Sequence, residues 1–207
     1  MGNLIGNITC LWRCFAIVCF AILLLSLPAS VWALDVEVKT QVVAAGERLP
    51  RLHSVLLAHE GEVVFEHTFA GPGPDVPVNI KSLSKTVMAA LVGAAIERGV
   101  ITRVEQPIVD LLGERVPGNA TDGVKDITVG HLLSLQAGLQ RTSGRFYGAW
   151  VTSDNWVDYI LTRPFVDKPG GTMLYSTGST HLLSAALTEA AGESTLSLAR
   201  KWLGEPL

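Results

Sequence analysis

The sequence predicts an α/β chain, an antiparallel sheet opened by one hairpin and followed by a helical region that begins near residue 100. Two observations predict it. Residues 52–59 and 62–69 are β-rich runs set about Glu60-Gly61, the pattern of two strands joined by a tight turn. Beyond them, apolar stretches with helical spacing alternate with short connections rich in Gly, Pro, Asn and Asp.

The elements follow in order. Residues 70–75 carry three Gly-Pro or Pro-Gly steps and read as a loop, and residues 76–80 read as extended. A helix runs from about Thr86 to Arg98 and stops at Gly99, a C-terminal glycine. Its Val87, Leu91, Ala94 and Ala95, with the small Ala89, Ala90 and Gly93, suit a buried helix in close contact with a sheet. Residues 104–112 form a short amphipathic stretch with Pro107 near its start, and residues 113–126 a Gly/Pro/Asn/Asp-rich connection. A helix begins about Asp126-Ile127-Thr128, with Val129, Leu132, Leu133 and Leu135 facing the core, and ends by residues 137–139. Trp150, Trp156, Tyr159 and Ile160 mark another helical stretch, and residues 167–171 a turn. Residues 180–191 form an apolar helix closed by Gly192, and residues 193–203 a last one.

The N-terminus is the greasiest part of the chain. Residues 1–14 hold one cation, Arg13, and no acid; residues 15–27 are almost wholly apolar; Pro28 follows, and Val31-Trp32-Ala33 offers small residues about a cleavage point. This is the pattern of a secretory signal peptide over residues 1–33. The alternative is an uncleaved anchor, since residues 8–27 approach the length of a bilayer span. Either reading exports residues 34–207, to a secreted or periplasmic location or to a membrane surface held by residues 8–27. All three cysteines, Cys10, Cys14 and Cys19, lie in this segment. The remainder therefore has no disulfide scaffold, no cysteine nucleophile and no thiolate metal site. It also carries 15 basic against 19 acidic residues with no basic cluster, which gives nucleic-acid binding no electrostatic support.

The chemistry is concentrated in Ser82-Leu83-Ser84-Lys85, where the extended segment meets the first apolar helix. Positions i and i+3 share one helix face, so the Ser82 hydroxyl and the Lys85 amine can meet. An unassisted serine is a poor nucleophile, and a desolvated lysine accepts its proton. Thirteen serines and six lysines in 207 residues give about 0.4 such pairs by chance, so the motif alone is weak. Its plain reading is a helix N-cap followed by a solvated lysine. The plain reading of Tyr175 is a half-buried strand tyrosine.

Two further stretches give the motif its context, residues 127–139 (ITVGHLLSLQAGL) and residues 169–183 (PGGTMLYSTGSTHLL). The ordered series resembles the serine beta-lactamase-related family: class C-type beta-lactamases, D-alanyl-D-alanine peptidases of that fold, related esterases and 6-aminohexanoate-dimer hydrolases. The resemblance covers about residues 52–207. It implies a beta-lactamase/transpeptidase-like α/β sandwich and a hydrolase that works through an acyl-enzyme, with no cofactor or metal. By that resemblance Ser82 is the nucleophile, Lys85 helps to deprotonate it, and Tyr175 is the tyrosine of a Tyr-x-Asn motif that relays protons to the leaving group. The Ser82 backbone N–H would supply half of an oxyanion hole.

Two departures shape the expectation. The asparagine of Tyr-x-Asn is replaced by Thr177, a substrate-binding position; a hydroxyl lacks an amide's reach and its paired donors. This favours an ester or small amide over a beta-lactam. The family's late Lys/His-x-Gly motif does not follow Tyr175, and residues 34–207 are expected to be the N-terminal portion of such a domain, with the C-terminal part of the sheet missing. A non-catalytic binding protein for peptide or cell-wall fragments and a D-alanyl-D-alanine peptidase are the alternatives. The partner in each case is a small ester, amide or peptide. His53, His59, His67, His131 and His181 show no metal-binding spacing and read as structural, His131 and His181 as helix-positioning residues. Arg141, Phe146, Tyr147 and Trp150 are candidates for a pocket wall. Asn119-Ala120-Thr121 fits a glycosylation sequon.

Overall fold

A computed structural model describes residues 35–206 of the chain. The signal-peptide or anchor segment and all three cysteines lie outside the described residues. Among the described residues no helix is long and apolar enough to cross a membrane. The chain divides into two compact units that meet between Val78 and Asn79.

The first unit holds α1 (Val36–Gly46), β1 (Ser54–His59) and β2 (Glu62–Thr68). Asp35 caps α1, its carboxylate accepting the Glu37 N–H at 2.9 Å. The strands are antiparallel, with Ser54 opposite Thr68 and a bulge between Leu57 and Ala58. The two-residue turn places Glu60 at φ 52° and Gly61 at φ 87°. Positive φ at both positions is the type I′ geometry whose twist matches the strands it joins. Phe65 is buried, while Leu56, Leu57 and Val63 are exposed.

The second unit carries α2 (Ser84–Glu97), α3 (Ile108–Leu112), α4 (Val129–Leu133), α5 (Tyr147–Val151), α6 (Trp156–Leu161), α7 (Thr177–Ala191) and α8 (Thr195–Ala199), followed by a π-helical turn, Arg200–Gly204. Helix α7 is the axle, packing against α2, α3, α4, α6 and α8. The core is the apolar stripe of each: Leu91, Val92 and Ala95 of α2, Ile108 and Leu112 of α3, Val129 and Leu132 of α4, and Leu182, Ala186 and Leu187 of α7. Removing each large aliphatic from water contributes roughly 1.5–3 kcal/mol.

The boundaries follow local chemistry. Thr128 opens α4 with a reciprocal capping box: its hydroxyl accepts the His131 N–H at 3.2 Å, and His131 Nδ1 accepts the Thr128 N–H at 3.3 Å. Helix α4 is therefore shorter than its apolar pattern, stopping at Leu133 with Leu135 in a left-handed conformation (φ 59°). The aromatic stretch breaks into α5 and α6, because Asn155 caps a new helix through the Val157 and Asp158 N–H groups. Helix α7 begins three residues before the apolar run, and Gly192 closes it at φ 68°. Helix α2 differs most from expectation. Leu91 and Ala95 are buried, but Val87 is 42% exposed and Ala89, Ala90 and Gly93 are exposed. Small residues permit close approach; they do not themselves supply a neighbour.

Candidate active site

Ser82 does not stand in α2. It occupies a 3-10 turn, Lys81–Leu83, that leads into the helix. The turn begins on Lys81, whose φ of 51° lies in the left-handed region. A non-glycine residue there costs roughly 1–3 kcal/mol and persists where its surroundings hold it. Asn79 does so by accepting the Lys81 N–H at 2.8 Å, and the Lys81 carbonyl accepts the Ser84 hydroxyl at 2.7 Å. The bend delivers the Ser82 hydroxyl to the open side of the helix start. Lys85, three residues on, shares its face.

Tyr175 comes from the irregular segment just before α7, not from a strand. Leu174 is pinned by its N–H to the Leu135 carbonyl at 2.8 Å. The three side chains meet. The Tyr175 hydroxyl donates to Ser82 Oγ at 2.6 Å, and Lys85 Nζ donates to the same oxygen at 3.2 Å. Lys85 Nζ also lies 5.0 Å from the centroid of the Tyr175 ring. The Ser82 hydroxyl and then Lys85, by hydrogen bonding and by its charge, hold the Tyr175 phenol below the ordinary tyrosine range, with slight burial opposing them. Tyr175 is 41% exposed, so the cluster is open to solvent.

Thr177 is close by but engaged. Its hydroxyl pairs with that of Ser143 at 2.9 Å, and its N–H donates to Ser143 Oγ at 2.9 Å. The Gly178 N–H donates to Thr142 Oγ1 at 2.8 Å, and the Thr142 N–H to Ser176 Oγ at 3.1 Å. The first turn of a helix leaves orphan N–H groups, and here a neighbouring loop satisfies them while the N-cap Ser176 bonds across to that loop. Gly178 permits the approach: a Cβ there would stand 2.7 Å from Thr142 Oγ1 and 2.9 Å from Ile160 Cγ1. Thr142 and Ser143 were missing from the sequence reading, since a lone Thr-Ser pair in a polar loop carries no recognisable spacing.

A cleft of about 290 Å³ opens beside Lys85. Tyr147 and Trp150 are among its walls; Arg141 and Phe146 are not. His131 serves α4 through its capping box, and His181 stands among aromatic rings on α7. Among the described residues no group of three or more His, Cys, Asp or Glu gathers as a metal site.

Comparison with solved structures places this arrangement in a known fold. The D-stereospecific amidohydrolase from Streptomyces sp. matches at 20% identity and a TM-score of 0.66, over 84% of this chain and 54% of that one. The octameric penicillin-binding protein homologue from Pyrococcus abyssi matches at 19% identity and 0.65, over 84% and 43%. EstCE1, a hydrolase with promiscuous acyltransferase activity, matches at 22% and 0.62, over 82% and 50%. The chain thus spans about half the length of these structures, and shares with them the beta-lactamase/transpeptidase-like fold. No curated protein sequence matches it. The Beta-lactamase family matches residues 52–207, and with Ser82, Lys85 and Tyr175 all inside that span, the chain belongs to the beta-lactamase family.

Proposed function

We propose that the chain is an exported serine hydrolase that cleaves an ester or amide through an acyl-enzyme on Ser82. The observation that carries the reading is the convergence of Tyr175 and Lys85 on one oxygen, Ser82 Oγ. In the attack, Tyr175 stands as the phenolate; Ser82 Oγ forms a bond to the substrate carbonyl carbon while its proton passes along the 2.6 Å contact to the phenolate oxygen. Lys85 assists by holding Oγ and by favouring the phenolate. Collapse of the tetrahedral intermediate breaks the bond to the leaving amine or alcohol, which takes the proton back. The Ser82 backbone N–H is the first donor to the oxyanion. Water then attacks the acyl-enzyme by the same route and frees the acid.

Thr177 favours an ester or simple amide over a beta-lactam, because its hydroxyl is already paired with Ser143 and has little capacity left for a substrate amide. Export rests on the N-terminal pattern of residues 1–33, and a secreted or periplasmic protein would begin at Leu34 when isolated from its host.

Intact-mass measurement of the chain after exposure to p-nitrophenyl esters tests the chemistry. The expected result is the mass of one acyl group, located on the peptide that holds Ser82 and absent from Ser82→Ala. An adduct elsewhere, or none, overturns the reading. Ligand binding that persists without any adduct would instead identify a non-catalytic binding protein, and release of D-alanine from a stem peptide would identify a peptidase.

A further inference from the structure

The cleft beside Lys85 is built by two helical rows. Lys85 and Met88, three residues apart on one face of α2, form the first row, with Ser84 beside them. Thr177, Thr180, His181 and Ser184 form the facing row on α7. Lys85 belongs to both places: its Nζ reaches Ser82 Oγ while its side chain lines the cleft. The cleft therefore adjoins the Ser82 hydroxyl through Lys85.

Its far end is aromatic. The Trp150 and Trp156 rings lie 5.3 Å apart, and each meets the His181 ring edge to face, at 5.7 and 5.2 Å. Both indole N–H groups are turned away from the cleft's contents: Trp150 donates to the Trp156 carbonyl and Trp156 to the Val151 carbonyl, each at 3.3 Å. The hydroxyls are mostly occupied too. Ser84 donates to the Lys81 carbonyl, and Ser184 pairs with Thr195. Among the described residues no carboxylate or guanidinium lines the space, and Lys85 is its one cation. Such a lining offers ring faces and a thioether to a ligand and nothing beyond Lys85 to balance a charge.

We propose that this cleft is the specificity pocket of the hydrolase, taking a flat, uncharged, apolar group on the acyl side of the substrate, an aryl ring above all. The proposal rests on the acyl-enzyme reading of Ser82. A cleft of about 290 Å³ is at the small end of ligand sites, the size for one substituent and not for a whole peptide. His181 and Thr180, whose side chains have no hydrogen-bond partner among the described residues, supply the pocket's polar edge. They suit a single polar atom on an otherwise apolar group.

Two measurements test it separately from the chemistry. In Ser82→Ala, where no acylation occurs, ligand-observed NMR follows phenylacetamide and acetamide. Phenylacetamide is expected to bind at least tenfold more tightly. Thr180→Phe, which fills the space, and Trp156→Ala, which removes one wall at a half-exposed position, are each expected to erase most of that difference when added to Ser82→Ala. Equal binding of the two amides, or a preference that survives both substitutions, overturns the proposal. With Ser82 intact, the acylation rate ratio of p-nitrophenyl phenylacetate to p-nitrophenyl acetate should fall about tenfold in either variant; an unchanged ratio also overturns it. Selective binding of phenylacetamide without acylation by any ester would refute the hydrolase reading and leave the pocket standing as a binding site.

Discussion

Helices α2 and α7 are nearly equal in length, 14 and 15 residues, and both read from the sequence as apolar, yet they are held very differently. Helix α7 buries Gly178, Ser179, Leu182, Leu183, Ala185, Ala186 and Leu187, from its first turn to within four residues of its end. Helix α2 buries only Leu91, Val92 and Ala95, all in its second half. Ser82 and Tyr175 are exposed and lie outside both helices, on the turn before α2 and the segment before α7. The contrast teaches that a helix's apolarity records what it can pack against, whereas its burial records what is there. It also separates two roles: α7 anchors the core, and the turn before α2 holds the exposed Ser82.

The sharpest way to break this division is at the chemistry. Replacing Tyr175 by phenylalanine removes the group bonded to Ser82 Oγ without emptying space. Acylation by a p-nitrophenyl ester is expected to slow on the order of 10²- to 10⁴-fold, the usual worth of one positioned proton carrier, with thermal stability little changed. The pH profile should change with it. Because the Tyr175 phenol is held below its ordinary value, the rate in the unaltered chain should climb as pH rises through an inflection below about 10, and that inflection should vanish in Tyr175→Phe. An equal rate in the two proteins would remove Tyr175 from the proton path.

Stability measurements sharpen the other half. Leu182→Ala empties fully buried space in α7 and is expected to cost about 2–5 kcal/mol in chemical denaturation. Val87→Ala on the exposed part of α2 should stay within about 0.5 kcal/mol. Similar losses at both positions would mean that α2 is covered more fully than its exposure indicates. Gly178→Ala tests the fit of α7 against the Thr142 loop. The added methyl meets a hydroxyl and Ile160, and overpacking of that kind typically costs about 1–3 kcal/mol, here accompanied by displacement of Thr177.

The smallest effect is a pH dependence from His181. Burial, then the nearby positive charge of Arg115, lowers its pKa. The folded state consequently binds fewer protons than the unfolded one in the window below the unfolded value, and stability rises with pH there. The melting temperature should fall modestly as pH drops below about 6.5, and the fall should shrink in His181→Gln. An unaltered pH slope in that variant would move the cause to another group.

Much of the site was legible because it is local. Ser82 and Lys85 are three residues apart on a helix start, and their meeting needs only helical periodicity. The hairpin was legible for the same reason, since Glu60-Gly61 and its flanking runs carry their own geometry. Tyr175 was different. Nothing in its neighbours brings it 93 positions back along the chain to Ser82; only a resemblance to known hydrolases joined them. Thr142 and Ser143 were illegible because their partners, Gly178 and Thr177, are reached through the tertiary packing of α7. The break between α5 and α6 hung on one side chain, Asn155, outcompeting an aromatic pattern that continues across it.

Lys85 ties two places together, since it bonds Ser82 Oγ and lines the cleft. Each residue advances a helix by about 100°, so on the proposed reading a single insertion or deletion between Ser82 and Lys85 would swing the Lys85 ammonium and the pocket wall away from the nucleophile together. Reaction and selectivity cannot then drift apart by small length changes in this segment. Evolution of a new substrate preference has to proceed by exchanging side chains along α2, α5, α6 and α7, while the spacing of Ser82 and Lys85 stays fixed.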